Sequence, residues 1–401
     1  MTAIDIHLKP LSSAHHTARL TAKQNKHSMS YHPDAQEALS LTMPLRNESY
    51  VYNDLHPIFQ MNLPEGALRE AIERATAKQY GSDDLTMLTI LADNQIGRIA
   101  YSLKDQAIPL QQEKPLVLNE LLNHHDAQLF NQLLQRYAQH SGVAGVQPKV
   151  LMAIESHMTM TTQHYIVKSW GDAYPQLGCN EYVCLNIAKK AGLTIPETHL
   201  SNNGKLLISK RFDLDKAGTA MGFEDFCVLQ AKGTKEKYDS SIEQCANTIR
   251  HFSSPEYQAE DLATLFKVTL LNVRIRNGDA HLKNLGIQYP SLNHYLENKM
   301  PNTPRKLAPI YDLVSTTPYI PNDTMALTLT GSKHWPKQKA LHDFAHQHCQ
   351  LTTAKIKLIE EQVEDAIQST LPLLEQLQNK HSEFIEIGDA MRELLVQPLR
   401  T

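Results

Sequence analysis

The stretch from Asn277 to Ile287, NGDAHLKNLGI, holds an aspartate at position 279 and an asparagine five positions later. A long apolar segment precedes it and a short apolar run follows it, which predicts a loop between a buried helix and a strand. In phosphotransferases the aspartate of such a loop accepts the proton of the attacking hydroxyl, and the asparagine holds a Mg²⁺ ion on the phosphates of ATP. This spacing also occurs by chance, so the interpretation depends on the rest of the chain.

Composition and charge exclude several classes of protein. The 401 residues suffice for two or three domains, and a net charge of −4 gives no overall basic field for nucleic acid. The five cysteines are scattered without a C-x-x-C pair, which favours reduced thiols over disulfides or a zinc site. No apolar run approaches the ~20 residues of a membrane span, and the start lacks the pattern of a signal peptide. We therefore expect a cytoplasmic protein without membrane contact.

The first part of the chain, residues 1–115, predicts a compact α+β unit. Residues 1–35 are rich in histidine, but their spacing favours a tail or first strands over a metal site. LSLTMPL and YVYNDLHPIF, from Leu39 on, suggest short strands, and MNLPEGALREAIERATAKQY, DDLTMLTIL and RIAYSL suggest two helices and a strand. We interpret Asn62 to Gly66 as a structural helix start and assign it no chemistry. The polar stretch Lys104 to Leu118 is the candidate linker.

The next part, residues 116–215, contains the features expected of a nucleotide site. A small-residue loop with Gly142 and Gly145 precedes an apolar strand, and glycine lets backbone N–H groups approach phosphate closely. Lys168 ends the alternating strand HYIVKSW, where an ammonium can hold the α- and β-phosphates. The amphipathic segment CNEYVCLNIAKKAG then predicts a helix with Glu181 in its first turn, placed to orient Lys168. A surface lysine and a capping glutamate are the alternative. The strand KLLISKRFD ends where backbone groups of residues 210–212 can meet adenine, and a plain core position is the alternative for Phe212.

The last part, residues 216–401, predicts a largely helical lobe. GFEDFCVLQAK suggests a helix, a second helix begins near Ile242 after an N-cap in Asp239-Ser240-Ser241, and DLATLFKVTLLNVRIRN suggests a buried central helix. Asp312 follows an apolar strand at 307–311 and can serve as the second metal carboxylate.

Histidines and a lysine around these acidic residues allow further roles. His281 can position Asp279 or contact phosphate, with a packed core histidine as the alternative, and Lys283 can neutralise charge on the transferred group. His342, His346 and His348 near the C-terminus lack the carboxylate of an H-E-x-x-H site, so we expect no metal there.

Nine pieces of this sequence, in order, resemble the HipA-like serine/threonine kinases of bacterial type II toxin–antitoxin systems. They are LSLTMPL, MNLPEGALRE, GVAGVQPKV, IVK with NEYVCLNIAKKAGL, KRFD, FEDFC, KYDSS, NGDAHLKNLGI and LAPIYDLVS. The resemblance covers roughly Leu39 to Pro318. It implies an α+β, two-lobed protein-kinase-like fold with an N-terminal α+β subdomain and a largely helical C-terminal lobe.

The resemblance also implies the residues of the site. Asp279 is the expected catalytic base, ATP the expected phosphate donor, and Asn284 and Asp312 the expected Mg²⁺ ligands. The expected nucleotide contacts are Ala144, Gly145, Val146, Gln147, Pro148, Lys149, Lys168, Glu181, Lys210, Arg211, Phe212, His281, Leu282, Lys283, Asn284, Tyr311 and Asp312. Some family members phosphorylate a serine of their glycine-rich loop. Gly142 stands at one such position here, which leaves its neighbour Ser141 as the candidate for autophosphorylation.

The implied function is that of a serine/threonine protein kinase, the toxin of a toxin–antitoxin system, which phosphorylates a cellular protein and inhibits growth. In the family the target can be an aminoacyl-tRNA synthetase. Family members commonly pair with a helix-turn-helix antitoxin that binds operator DNA, and no stretch here predicts such a helix, so any antitoxin is a separate protein. One alternative is a small-molecule phosphotransferase. The other is a kinase-like binding module that acts with an antitoxin as corepressor, which the presence of Lys168, Asp279, Asn284 and Asp312 disfavours.

Overall fold

The structure of the protein is a computed structural model. It describes residues 2–10, 16–23, 26–108, 117–124, 128–129, 158–161, 164–171, 174–297 and 299–399. These residues form an N-terminal α+β unit, a second sheet with a helix behind it, and a larger helical part that carries a short third sheet. Most of the core is shared between the last two parts, whereas the N-terminal unit has an apolar cluster of its own.

The N-terminal unit is an antiparallel sheet covered by short helices. Its strands lie in the order β4-β3-β2-β1-β5, and they are β1 (Thr2–Leu8), β2 (Ala18–Lys23), β3 (Lys26–Tyr31), β4 (Tyr50–Tyr52) and β5 (Ile99–Leu103). The helices are α1 (Pro57–Gln60), α2 (Gly66–Tyr80) and α3 (Asp84–Leu91). The histidine-rich start thus forms strands, and the predicted helices α2 and α3 and strand β5 are confirmed.

Two details of this unit differ from the sequence prediction. Residues 39–45 make isolated bridges and no regular strand, because they turn between the N-terminal sheet and the catalytic part, where Leu45 pairs with Leu296. The predicted second strand ends after three residues. Pro57 then starts α1, and the ring of His56 caps it by accepting a hydrogen bond from the Ile58 N–H at 3.3 Å.

The second sheet holds the predicted nucleotide strands. Its order is β6-β7-β9-β8, with β6 (Met158–Thr161), β7 (Tyr165–Ser169), β8 (Thr198–Leu200) and β9 (Leu206–Lys210). The helix α4 (Leu118–Asn123) packs on β9, and α5 (Leu177–Lys190) lies behind the sheet. Since α5 begins at Leu177, Glu181 lies in its second turn and not in its first, as the sequence had suggested. Gly192, at φ 82°, ends the helix as predicted.

The catalytic part surrounds a short sheet with helices. Its strands pair in the order β10 (Gly222–Asp225), β11 (Gly286–Tyr289) and β12 (Lys306–Leu307). The helices are α6 (Phe226–Leu229), α7 (Ile242–Phe252), α8 (Pro255–Arg274), α9 (Gln338–Gln347), α10 (Thr353–Lys380) and α11 (Ile385–Val396). Helix α10 packs along α5 and α8, which ties the nucleotide sheet to the catalytic part.

Several predictions for this part are confirmed and two are wrong. Helix α7 has the predicted N-cap, since Ser241 Oγ accepts a hydrogen bond from the Gln244 N–H at 3.1 Å, and α8 is the predicted central helix. GFED, predicted as helix, is strand β10, because it pairs with β11 from more than fifty residues away. The strand predicted at 307–311 stops at Leu307, because Leu307 is the one residue of this range that pairs with β11.

Within the described ranges, no helix is long and apolar enough to cross a membrane. His342 lies 2.8 Å from Glu360 Oε1, and His346 lies 2.7 Å from the carbonyl oxygen of Leu351. Both rings are therefore used in packing contacts between the C-terminal elements.

Candidate active site

A cavity of about 1040 Å³ opens where the N-terminal unit, the second sheet and the catalytic part meet. Its volume suits a ligand of nucleotide size. Nine of the predicted site residues line it, namely Lys168, Glu181, Phe212, Asp279, His281, Lys283, Asn284, Tyr311 and Asp312. Residues that are far apart in sequence thus meet around one space.

Lys168 is the buried cation of this cavity. It points from β7, at 8% exposure, between Glu181 Oε1 at 2.7 Å and Asp312 Oδ1 at 2.6 Å. Burial alone would lower the pKa of Lys168, but the carboxylates of Asp312 and Glu181 raise it above its usual value. Burial also raises the pKa of Glu181 to about 7, against the opposing effect of Lys168. The ammonium therefore stays charged inside the cavity, where an anion can approach it.

The loop after α8 fixes the backbone of Asp279 and leaves its carboxylate half-exposed, at 50%. Asn277 Oδ1 accepts a hydrogen bond from the Asp279 N–H at 3.1 Å, and the Asn284 side-chain amide donates to the Asp279 carbonyl oxygen at 2.9 Å. Gly278 allows the segment of Asp323 and Thr324 to lie against this loop, because a Cβ there would lie 2.7 Å from the carbonyl oxygen of Thr324. The aspartate is thus rigidly carried and open to a second reactant.

A tyrosine and a histidine lie next to the carboxylate of Asp279. The Tyr238 hydroxyl donates a hydrogen bond to Asp279 Oδ1 at 2.6 Å, and His281 Nε2 lies 4.0 Å from the same oxygen. Burial lowers the pKa of His281, against the attraction of Asp279. Neutral pH therefore favours an uncharged imidazole beside the aspartate.

Three aromatic rings form a wall of the same cavity. The ring of Phe212 stacks on that of Tyr311 at 5.1 Å between centroids and meets Phe223 edge-on at 5.3 Å. The Tyr311 hydroxyl donates to the carbonyl oxygen of Lys283 at 2.7 Å, which joins this wall to the Asp279 loop. A flat aromatic ring of a ligand can pack against such a wall.

Lys283 has two acidic partners that the sequence did not reveal. Its ammonium lies 3.3 Å from Asp225 Oδ2 and 3.3 Å from Glu65 Oε1. Burial alone would lower the pKa of Lys283, but these carboxylates raise it. Glu65 belongs to the stretch for which the sequence predicts only a helix start, and its contact in the cavity exists only once the N-terminal unit is folded onto the catalytic part.

The other predicted site residues are placed differently. Lys210, Arg211 and Leu282 do not line the cavity as the described residues define it. Arg211 is buried and donates from Nε to Asp213 Oδ1 at 2.9 Å, and its backbone N–H donates to the His164 carbonyl at 2.8 Å. The predicted glycine-rich loop, from Ala144 to Lys149, and Ser141 lie outside the described residues.

Comparison with known families identifies the family of this chain. A model of the HipA-like C-terminal domain matches residues 141–371, and a model of the HipA N-terminal domain matches residues 11–102. The chain belongs to the HipA family. The two matched regions together cover most of this chain, including all residues of the cavity named above.

Relatives of this HipA-family chain are known at moderate identity. The putative kinase Y4mE of Sinorhizobium fredii is 28% identical over 307 residues, which are 70% of this chain and 69% of that protein. A putative kinase of Haemophilus influenzae is 30% identical over 196 residues, which are 44% of this chain and 53% of that protein. A chain of the Shewanella oneidensis MR-1 toxin–antitoxin complex of HipA, HipB and operator DNA matches with a TM-score of 0.67 at 16% identity, over 98% of this chain and 96% of that one. That likeness shows the HipA fold.

The HipA-type cavity also contains oxygen atoms suited to Mg²⁺. In the described part of the chain, no group of three or more His, Cys, Asp or Glu residues could hold a metal ion. A Mg²⁺ ion that binds with a nucleotide needs few protein ligands, since phosphates and water supply the rest. Asn284 uses its amide nitrogen on the Asp279 carbonyl, which leaves its amide oxygen for a cation, and the Asp312 carboxylate lines the same cavity. The two residues therefore fit the ion.

Proposed function

We propose that this protein is an ATP-dependent serine/threonine protein kinase. The observation that carries the proposal is the position of the half-exposed Asp279 carboxylate on the same cavity as the buried Lys168–Glu181 pair and the Asp312 carboxylate that contacts it. A kinase needs a carboxylate that meets the acceptor hydroxyl and a cation that meets the phosphates of the donor. The HipA fold and relatives named as kinases support the same reading.

In this proposal each side of the cavity binds a different part of the reactants. The Phe212–Tyr311 wall packs against adenine, and Lys168, held in place by Glu181, contacts the α- and β-phosphates. The acceptor hydroxyl enters at the exposed end and donates to Asp279, which takes its proton as the oxygen attacks the γ-phosphorus and the bond to ADP breaks. The exposure of Asp279 favours an acceptor on a protein surface over a small molecule enclosed in the cavity.

Asn284 and Asp312 are the proposed ligands of Mg²⁺, which supplies positive charge on the β- and γ-phosphates when it is bound. The ammonium of Lys168 now contacts Asp312 Oδ1 at 2.6 Å, so Asp312 can be shared between the lysine and the ion. Lys283 lies on the same loop as Asp279, is held by Asp225 and Glu65, and lines the cavity, where its ammonium is proposed to stabilise negative charge on the transferred group.

We further propose that the kinase acts as a growth-inhibiting toxin with a separate DNA-binding antitoxin. The support is the HipA fold, seen in a structure described as a toxin–antitoxin complex of HipA, HipB and operator DNA. An aminoacyl-tRNA synthetase stays a candidate target by family resemblance alone.

Phosphoryl transfer from ATP labelled on its γ-phosphate to proteins of a bacterial lysate tests the kinase proposal. Asp279→Asn should lower transfer on the order of a hundredfold or more, because it removes the base. It should leave binding of Mg·ATP, measured by calorimetry, nearly unchanged, because no phosphate contact is lost. Phosphoamino-acid analysis of the labelled bands should give phosphoserine or phosphothreonine.

The matched control is Asp34→Asn, which makes the same substitution at a side chain that is 87% exposed and remote from the cavity. It should transfer phosphate like the wild type. Equal transfer by wild type and Asp279→Asn would refute the assignment of the base. Growth of cells induced for each form tests the toxin proposal, which requires arrest by the wild type and none by Asp279→Asn.

A further inference from the structure

The hydrogen bond between Tyr238 and Asp279 is the contact that the proposed mechanism leaves without a role. The phenol donates to Oδ1 of the carboxylate at 2.6 Å across 41 residues of sequence. Among the contacts of the described residues, no hydrogen bond involves Asp279 Oδ2. The bond thus holds one carboxylate oxygen and leaves the lone pairs of the other for an acceptor hydroxyl. A hydrogen bond to an ionised acceptor is short and directional, so it fixes the rotation of the carboxylate.

Tyr238 is the last residue of the segment 233–238. One side of this segment contacts the loop that carries Asp279. The Leu282 N–H donates to the carbonyl oxygen of Lys237 at 3.1 Å, and the ring of Tyr238 meets that of His281 edge-on at 5.2 Å. Burial and the charge of Asp279 both raise the pKa of Tyr238, so its hydroxyl keeps its proton for donation.

The other side of the segment 233–238 is attached to the N-terminal unit. Gln60 Oε1, at the end of α1, accepts a hydrogen bond from the Thr234 N–H at 3.0 Å. Glu65 places one carboxylate oxygen 3.5 Å from the Lys237 ammonium and the other 3.3 Å from that of Lys283. Burial raises the pKa of Glu65, but Lys283 and Lys237 together hold it below its usual value, so the carboxylate is charged between them.

We propose that Tyr238 is a positioning residue for Asp279, and that the N-terminal unit sets its place through Gln60 and Glu65. The N-terminal unit then has a part in catalysis although it provides no group to the reacting atoms. The inference rests on the proposed kinase function. A competing role would be that of a gate, in which the phenol blocks the acceptor hydroxyl and must leave the carboxylate before transfer.

Steady-state formation of ADP from Mg·ATP, with water as acceptor, separates positioning from gating. Tyr238→Phe keeps the ring and removes the hydroxyl. Positioning predicts that kcat falls about ten- to a hundredfold while KM for ATP changes less than about twofold, because only the orientation of the base is lost. Gating predicts a higher kcat, and an unchanged or raised kcat would overturn the proposal.

The N-terminal half of the proposal is tested with Glu65→Gln, which removes the charge that holds Lys237, whereas Lys283 keeps its contact with Asp225 at 3.3 Å. It should lower kcat in the same direction as Tyr238→Phe, and Tyr238→Phe/Glu65→Gln should be no slower than Tyr238→Phe alone, because both act through one link. Glu70→Gln, on the exposed face of α2 and paired only with Arg74 in the described contacts, is the matched control and should behave as wild type. Independent, multiplying losses would overturn the link.

A measurement without turnover keeps this inference distinct from the kinase proposal. The near-ultraviolet titration of wild type minus that of Tyr238→Phe isolates the ionisation of Tyr238. Asp279→Asn should move that ionisation to lower pH, because the charge that opposes phenolate formation is gone. An unmoved titration would overturn the contact whether or not ATP is turned over, whereas a shifted titration with no ADP formed by the wild type would count against the kinase function alone.

Discussion

At the scale of single residues, the cavity depends on a lysine that is buried with two acids. Removing one partner of a buried ion pair costs about 3–5 kcal/mol, because the remaining charge is left without compensation. Glu181 is 2% exposed, whereas the Asp312 side chain is 31% exposed and can be solvated. When Lys168 is removed, the uncompensated charge that costs most is therefore that of Glu181, which is the more deeply buried partner.

We predict that Lys168→Met lowers the free energy of unfolding by about 3–5 kcal/mol near pH 8. The loss should be smaller at pH 5, since a Glu181 without its cation has a raised folded pKa, and an acid with a raised pKa destabilises the fold only as pH rises toward that value. Urea unfolding at the two pH values measures the difference. Lys168→Met/Glu181→Gln removes the stranded charge and should recover part of the stability. No recovery would mean that Glu181 is not the source of the loss.

At the scale of elements, the short helix α1 depends on a histidine cap that must stay neutral. His56 Nδ1 accepts the hydrogen bond of the Ile58 N–H at 3.3 Å, and burial lowers the pKa of His56 to about 4. A protonated Nδ1 has no lone pair for this bond. The cap matters for the site because α1 ends at Gln60, which contacts the segment 233–238.

This helix gives a pH prediction with a definite sign. The unfolded chain takes up the His56 proton near pH 6.5, and the folded chain does so only near pH 4, so stability is complete above pH 6.5 and lost as pH falls. Between pH 7 and pH 5 the wild type should lose about 2 kcal/mol through this group. His56→Asn, which keeps a capping oxygen, should lose correspondingly less in thermal or urea unfolding. His334→Asn, at an exposed histidine, is the control and should lose as much stability as the wild type. An equal loss in wild type and His56→Asn would contradict the role of His56 as a neutral cap.

The elements also show how far the sequence can predict this protein. Helices α5, α7 and α8 follow from local signals, namely apolar periodicity, a serine cap and a terminal glycine, so they are predicted correctly. Strand β10 is not, because its partner β11 is remote and local pattern carries no information about pairing.

The residues of the site also fall into two groups, those that the sequence indicates and those that it does not. The sequence indicates Lys168, Asp279 and Asp312 because each stands in a motif whose chemistry is readable from residue type and spacing. It does not reveal Glu65 or Tyr238, whose contacts with Lys283 and Asp279 exist only after distant segments fold together. The motifs NLPEG and KYDSS, which contain these two residues, contribute to the family resemblance. They do not show which side chains Glu65 and Tyr238 contact.

At the scale of the whole molecule, a buried glutamate joins the N-terminal unit to the catalytic part. Glu224 on β10 is fully buried and accepts hydrogen bonds from Ser40 Oγ and the Leu41 N–H at 2.7 Å each, and from the Tyr289 hydroxyl at 2.5 Å. Ser40 and Leu41 lie in the turn that follows strand β3. Three donors from two parts of the molecule therefore meet on one side chain, close to the Asp225 that holds Lys283.

We predict that Glu224→Ala uncouples the unfolding of the N-terminal unit from that of the rest. Each of the three donors left without an acceptor costs about 1–3 kcal/mol if it stays buried, and separation of the two parts relieves that cost.

Both tryptophans, Trp170 and Trp335, lie outside the N-terminal unit, so their fluorescence follows the other parts while far-ultraviolet circular dichroism follows the whole chain. In the wild type the two signals should change together with urea; in Glu224→Ala the circular dichroism should change first. Glu224→Gln retains an acceptor oxygen and should stay closer to wild type. Coincident transitions at an unchanged midpoint in Glu224→Ala would mean that the apolar contacts between the parts, and not this carboxylate, hold the N-terminal unit where Gln60 and Glu65 reach the site.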